Sequence, residues 1–196
     1  MSETKDRIIV ATNELLRRQG FHATSLKEIS NAAGATIGSI YHFFPGGKEE
    51  LGVAVIESTG QVYRQLFESI LDESPADDPA VGFERFLAAA ADTLAESDYV
   101  DPCPIGTVAR EVANTSEPMR LAADRVFASW IEAARTRLVS AGIEPDQAAC
   151  LAAVFVAIVE GTFVLSRTQQ SPATLHAAGR IVGDLVRTSA AADVGT

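Results

Sequence analysis

Thr36, Ile37, Ser39, Tyr41 and His42, with Lys48 just beyond, are spaced so that a short helix could turn Ile40 and Phe44 inward and these residues outward. A helix face meant only for water usually carries Lys and Glu. This one offers hydroxyls, a phenol, an imidazole and an ammonium, which suit phosphate oxygens, while the Thr36 methyl and Ile37 can touch thymine methyl groups. Gly38 keeps one edge low enough for a close approach. Catalysis is poorly served by comparison: there is no phosphate-cradling glycine loop, no Ser/His/Asp or Cys/His arrangement at recognisable spacing, and no paired carboxylates in an apolar stretch. An enzyme is not expected. His22, His42 and His176 lie far apart and share no metal-ligand spacing with Cys103 and Cys150, so neither metal nor cofactor is expected. Cys103, placed just before a helix start, could serve as a thiolate sensor, although free cysteine more often packs as a small hydrophobe.

The outward face needs a framework, and the residues before it supply one. Ser25-Leu26-Lys27-Glu28 has the form of a capping box, in which the Ser25 hydroxyl accepts from the Glu28 amide and the Glu28 carboxylate reaches back. Leu26, Ile29 and Ala33 then give one apolar stripe, and Gly34 follows where a left-handed residue ends a helix at little cost. Thr36 can cap the next helix. Helix, glycine turn and short helix is the order of a helix-turn-helix, whose second helix enters the major groove. A preceding helix over about 4–19, with Ile8, Ala11 and Leu15 on one face and Ile9, Thr12 and Leu16 beside it, completes a three-helix head. Gly20 ends it, with Phe21 folding back on Leu16. Leu15, Phe21, Ile29, Ile40 and Phe44 are the expected core of the head.

These residues carry a resemblance. Thr24-Ser25-Leu26-Lys27-Glu28-Ile29, Ala32-Ala33-Gly34-Ala35-Thr36, Gly38-Ser39-Ile40-Tyr41-His42-Phe43-Phe44-Pro45 and Lys48-Glu49-Glu50-Leu51 are together similar to the N-terminal signature of TetR-type regulators. The resemblance implies that Thr24 or Ser25, Tyr41, His42 and Lys48 grip DNA backbone, and that Thr36, Ile37, Gly38 and Ser39 lie in the groove. Ile37 is apolar where relatives often carry a long polar or basic residue, which leaves fewer hydrogen bonds to bases.

Beyond Pro45-Gly46-Gly47 the pattern stays helical. Helices are expected over about 48–71, 79–96, 104–114, 116–140, 145–167 and 172–188, with a loose tail over 190–196, giving an all-α chain of about nine helices. The apolar run over 151–159 is broken by Glu160, so a buried helix is expected there rather than a membrane span, and no membrane partner. Pro45-Gly46-Gly47-Lys48 and Cys103-Pro104-Ile105-Gly106 resemble the LmrA/YxaF-like branch of the same family. This implies a ligand cavity suited to a planar aromatic or lipophilic effector. Tyr63, Phe67, Phe83, Phe86, Phe127, Trp130 and Phe155 could line it, with Cys103, Thr107 and Arg110 from the sixth helix, although aromatics at helical spacing are more often plain core. Arg110 and Glu160 are the polar residues expected to be partly buried. Ala149, Ala153, Ala157 and Gly161 form a ridge of small residues, as do Gly179 and Gly183 with Val182 and Val186 beside them; such ridges interlock either inside one subunit or, as expected here, across a two-fold axis.

The net charge of −10 at first speaks against nucleic acid. Its distribution removes the objection. Residues 1–50 carry six basic and six acidic side chains, so the whole excess lies beyond them, and a neutral head can approach phosphates if the acidic body stays more than a Debye length, ~8–10 Å, away. Two cysteines and a charged N-terminus fit a reducing cytoplasm. Residues 1–47 are thus expected to form a helix-turn-helix DNA-binding domain and 48–196 a ligand-binding and dimerisation domain. The whole would be a cytoplasmic homodimeric repressor, released from a palindromic double-stranded DNA operator by a small lipophilic or aromatic effector. The rival is a helical small-molecule carrier or sensor without DNA binding, and the outward polarity of residues 36–42 speaks against it.

Overall fold

A computed structural model describes residues 3–75, 78–100 and 103–193, with side chains through residue 191. Among the described residues every regular element is an α-helix: α1 (Glu3–Ala23), α2 (Leu26–Ala33), α3 (Ile37–Phe43), α4 (Gly47–Asp72), α5 (Ala80–Glu96), α6 (Pro104–Val112), α7 (Glu117–Ser140), α8 (Pro145–Gln169) and α9 (Ala173–Asp193). The chain forms two compact units, Met1–Val62 with Pro102–Val126 and Tyr63–Asp101 with Phe127–Thr196. α4 and α7 therefore each contribute to both.

In the first unit α1 buries Ile8, Ala11, Thr12 and Leu16, and the Thr12 hydroxyl is satisfied by donating to the Ile8 carbonyl at 2.6 Å. Ile29 and Ala33 of α2, Ile40 of α3 and Phe44 close over them. The expected core residues Leu15 and Phe21 are only half-buried. Leu16, which stands four residues after Thr12, is the one of the two leucines that is fully enclosed. The first helix also runs past residue 19: Gly20 (φ 81°, ψ 177°) kinks it, and one more turn follows to Ala23. α6 lays Ile105, Val108 and Val112 into this unit, and the first half of α7 adds Met119, Ala122, Ala123 and Val126. Ser116 caps α7 by accepting from the Met119 amide at 3.3 Å, and its hydroxyl donates to the Glu49 carboxylate at 2.5 Å. One side chain thereby ties α7 to α4.

The second unit is built around Phe67, Phe83 and Phe155, whose rings meet with Phe86 at centroid separations between 4.9 and 5.9 Å. Phe67 and Phe155 are stacked and the other contacts are edge-to-face, and both arrangements add to what the buried area contributes. α9 lies against α5 and α8. It continues to Asp193 rather than ending near 188, and the rest of the expected tail, 194–196, lies outside the described residues. Arg187 joins it to α5, donating to Glu84 at 2.7 Å and to Asp78 at 3.1 Å. α8 opens on Pro145, with the Glu144 carboxylate accepting from the Asp146 and Gln147 amides. By length and composition alone α8 could cross a membrane. In the fold one face of it, Ala148, Ala152, Phe155, Val156 and Val159, is packed into this unit's core.

Candidate nucleic-acid interface

The turn that presents α3 is held by local hydrogen bonds. Ser25 Oγ accepts from the Glu28 amide at 3.2 Å, and Glu28 Oε2 accepts from the Ser25 amide at 2.8 Å and the Ser25 hydroxyl at 2.7 Å, so both halves of the capping box are present. These bonds from Ser25 hold the Glu28 carboxyl below the usual carboxylate range. Gly34 closes α2 in the left-handed region (φ 57°), and the Ser30 hydroxyl donates to the Ala35 carbonyl, stiffening the turn. Thr36 then caps α3, its Oγ1 accepting from the Ser39 amide at 3.0 Å and lying 2.9 Å from the Ser39 hydroxyl.

The face predicted from sequence is open. Ile40 is fully buried, whereas Ile37 is 43% and Tyr41 49% exposed, with Thr36, Gly38 and His42 exposed and Ser39 half-buried beside them. The Tyr41 ring lies against the backbone of Gly47, where α4 begins. Thr24 departs from expectation: it is 1% exposed, and its hydroxyl donates to the Gly20 carbonyl at 2.7 Å. It braces the kink after Gly20 and has no surface for a phosphate, and Ser25 is the exposed member of that pair. Lys48 is half-buried, with its ammonium 4.3 Å from the Phe21 ring centroid, a cation–π distance. Burial lowers its pKa, opposed by the charges of Glu111 and Glu28.

Glu111 of α6 is a residue that sequence reading missed. Its carboxylate accepts from the His22 amide at 3.0 Å and fills the space beside Gly20 where any side chain would have to go. It therefore holds the turn leading into the helix-turn-helix. The partners are 89 residues apart, and no spacing rule links them.

The candidate pocket residues fall into two groups. Phe67, Phe83, Phe86 and Phe155 fill their space with one another, and Tyr63, Phe127 and Trp130 adjoin as a second half-buried aromatic set. Cys103, Thr107 and Arg110 belong to the first unit. Cys103 is buried and its sulfur accepts from the Gly106 amide, while the Thr107 hydroxyl donates to the Cys103 carbonyl. Arg110 is exposed rather than partly buried, because the inner face of α6 is set by Ile105, Val108 and Val112 and residue 110 falls opposite.

The two ridges also differ. On α8, Ala153, Ala157 and Gly161 are exposed and Ala149 half-buried, with open space beside Gly161. On α9, Gly179, Val182, Gly183 and Val186 are buried within the subunit: Gly179 lies against Leu87 and Glu84, and Gly183 against the Glu84 carboxylate. That ridge packs on α5, and the side of α9 left open is the one carrying Ile181 and Leu185.

A capped helix, a left-handed glycine turn and a short second helix with an open, hydroxyl-rich face define a helix-turn-helix transcription regulator. Residues 8–55 match the family described as bacterial regulatory proteins, tetR family, and residues 79–181 match the LmrA/YxaF-like transcriptional regulator C-terminal domain. The regulator YxaF of Bacillus subtilis is 32% identical over 94% of this chain and 96% of its own length, and LmrA of the same organism is 28% identical over 94% and 97%. A TetR regulator from Legionella pneumophila shares the fold with a TM-score of 0.82 at 24% identity, over 94% of this chain and 98% of that one. The chain belongs to the TetR family of transcriptional regulators, in its LmrA/YxaF-like branch.

Proposed function

We propose that this regulator is a homodimeric repressor that grips a palindromic operator through the α3 faces of two heads and lets go when a small lipophilic or aromatic molecule binds. One observation carries the DNA half of this reading: α3 buries Ile40 completely while leaving Thr36, Ile37, Gly38, Tyr41 and His42 open on the other side. A carrier without DNA binding would have no use for that face. In this reading residues 1–47 are the DNA-binding domain and 48–196 the ligand-binding and dimerisation domain, acting in the cytoplasm. Ser25, Tyr41, His42 and Lys48 meet phosphates while Thr36, Ile37, Gly38 and Ser39 enter the groove, with half-sites about 34–36 Å apart. The exposed α8 face of Ala153, Ala157 and Gly161 supports pairing of two copies.

Release by an effector requires that the ligand bind the DNA-incompetent state better, and a coupling of ~1–3 kcal/mol would lower operator affinity about 5–150-fold. A mobility-shift titration on the DNA upstream of the protein's own gene tests the reading, with Tyr41→Ala as control. A discrete complex that Tyr41→Ala weakens is expected. A complex unaffected by Tyr41→Ala would remove that residue from the interface, and indifference to every lipophilic compound tried would make the protein a constitutive DNA binder.

A further inference from the structure

We infer that the α3 face distinguishes base pairs chiefly by thymine 5-methyl groups, with Ile37 as the specificity-determining residue; the inference rests on the DNA-binding reading above. Hydrogen-bonded discrimination in the major groove comes mainly from Arg, Lys, Asn and Gln, which can pair with two atoms of one base edge. From the cap at Thr36 to Phe43 the face is instead built from Thr36, Ile37, Gly38, Ser39, Tyr41 and His42. The two hydroxyls at its start are engaged with each other: Thr36 Oγ1 accepts from the Ser39 amide at 3.0 Å and stands 2.9 Å from Ser39 Oγ. Their mutual bond uses one of the two hydroxyl protons. A single remaining O–H is satisfied by either purine, so it positions without choosing.

The Ile37 side chain, 43% exposed on that face, is the largest aliphatic group available there for a base edge, with the Thr36 methyl a smaller one. The thymine methyl is the complementary apolar group in the major groove. Gly38 adds an independent argument. A Cβ built there would have Thr36 Oγ1 at 3.7 Å as its nearest neighbour, an ordinary contact, and the backbone is not left-handed. The fold therefore has room for alanine, which favours helix more strongly. A glycine that the fold does not require leaves a gap that a duplex can occupy.

The test uses the full-length protein and duplex pools with a randomised centre, one synthesised with thymine and the other with deoxyuridine, which lacks only the methyl. After enrichment on the thymine pool, the selected duplex is remade with uracil at each thymine in turn. Loss of one contacted methyl is expected to weaken binding about fourfold, the equivalent of ~0.8 kcal/mol per buried carbon. 5-Methylcytosine opposite guanine at the same position should restore part of the loss. Ile37→Ala should bind the thymine and uracil duplexes equally. Gly38→Ala should leave the melting temperature unchanged or higher while weakening binding to every duplex. Equal affinity of the wild type for thymine and uracil duplexes would overturn methyl readout and leave DNA binding intact. Failure to enrich any duplex from the thymine pool would overturn the DNA-binding reading itself. If Ile37→Ala kept the full thymine preference, the methyl reader would be another residue.

Discussion

Among single residues, Lys48 and Ser25 hold contacts within the fold at positions where DNA contacts are also proposed. Lys48 rests its ammonium over Phe21, so it must swing off that ring to reach a phosphate. Lys48→Gln should flatten the dependence of log affinity on log salt by about 0.9 per head, roughly two for a dimer, because each phosphate neutralised releases its own counterions. Affinity measured across a salt series checks this; an unchanged slope would confine Lys48 to steadying Phe21. Ser25 is exposed, and its bonds are to Glu28 three residues on. Ser25→Ala should cost about 1 kcal/mol, the usual value of an N-cap. The loss should depend on pH in a defined direction. Ser25 holds Glu28 below its ordinary value of 4.5, so the carboxylate half of the capping box contributes fully above that pH and fades as pH falls through Glu28's depressed value, while the Glu28 amide still donates to Ser25. The gap in melting temperature between wild type and Ser25→Ala should therefore be widest near neutrality and narrow in acid without closing.

At the level of elements, the head was legible because its signals are local. Ser25 and Glu28 are three residues apart, Gly34 directly follows the stripe it ends, and Thr36 reaches Ser39 within one turn. What holds α6 to α1 was not legible, because the Glu111 carboxylate and the His22 amide meet only once the chain has folded. Gly20 is the hinge of that contact. Its φ of 81° and ψ of 177° lie in a region that side chains avoid, and a Cβ there would run into Glu111. Gly20→Ala should lower stability by about 1–3 kcal/mol. Glu111→Gln keeps the shape and an acceptor oxygen but removes the charge, so it should fold normally. Its expected effect is on coupling: if α6 acts on the head through this bond, operator affinity should respond less to effector than in wild type. Denaturant melts and effector-dependent mobility shifts separate the two effects, and an unchanged effector response in Glu111→Gln would show that α6 acts by another route.

For the whole molecule, the sequence led both small-residue ridges to be expected across a two-fold axis, because a ridge signals close approach without naming what approaches. The α9 ridge is already occupied by Glu84 and Leu87 of α5. The α8 ridge is open, and Val154, Val164 and Leu165 on α8 with Ile181 and Leu185 on α9 extend it into an exposed apolar surface, Ile181 at 58%. Apolar side chains clustered at this density usually mark a partner. Ala157→Glu tests the assignment cleanly, because Ala157 is exposed and its replacement disturbs no packing inside the subunit. Across a two-fold axis the substitution sets like charges against each other in an apolar contact, which neither copy can neutralise. Sedimentation should then report a monomer of normal helicity. Operator affinity should fall by about 10²–10⁴, since two heads bound together gain an effective concentration that a single head lacks. A variant that remained dimeric with full affinity would move the interface away from α8 and take with it the two-head geometry on which a palindromic operator depends.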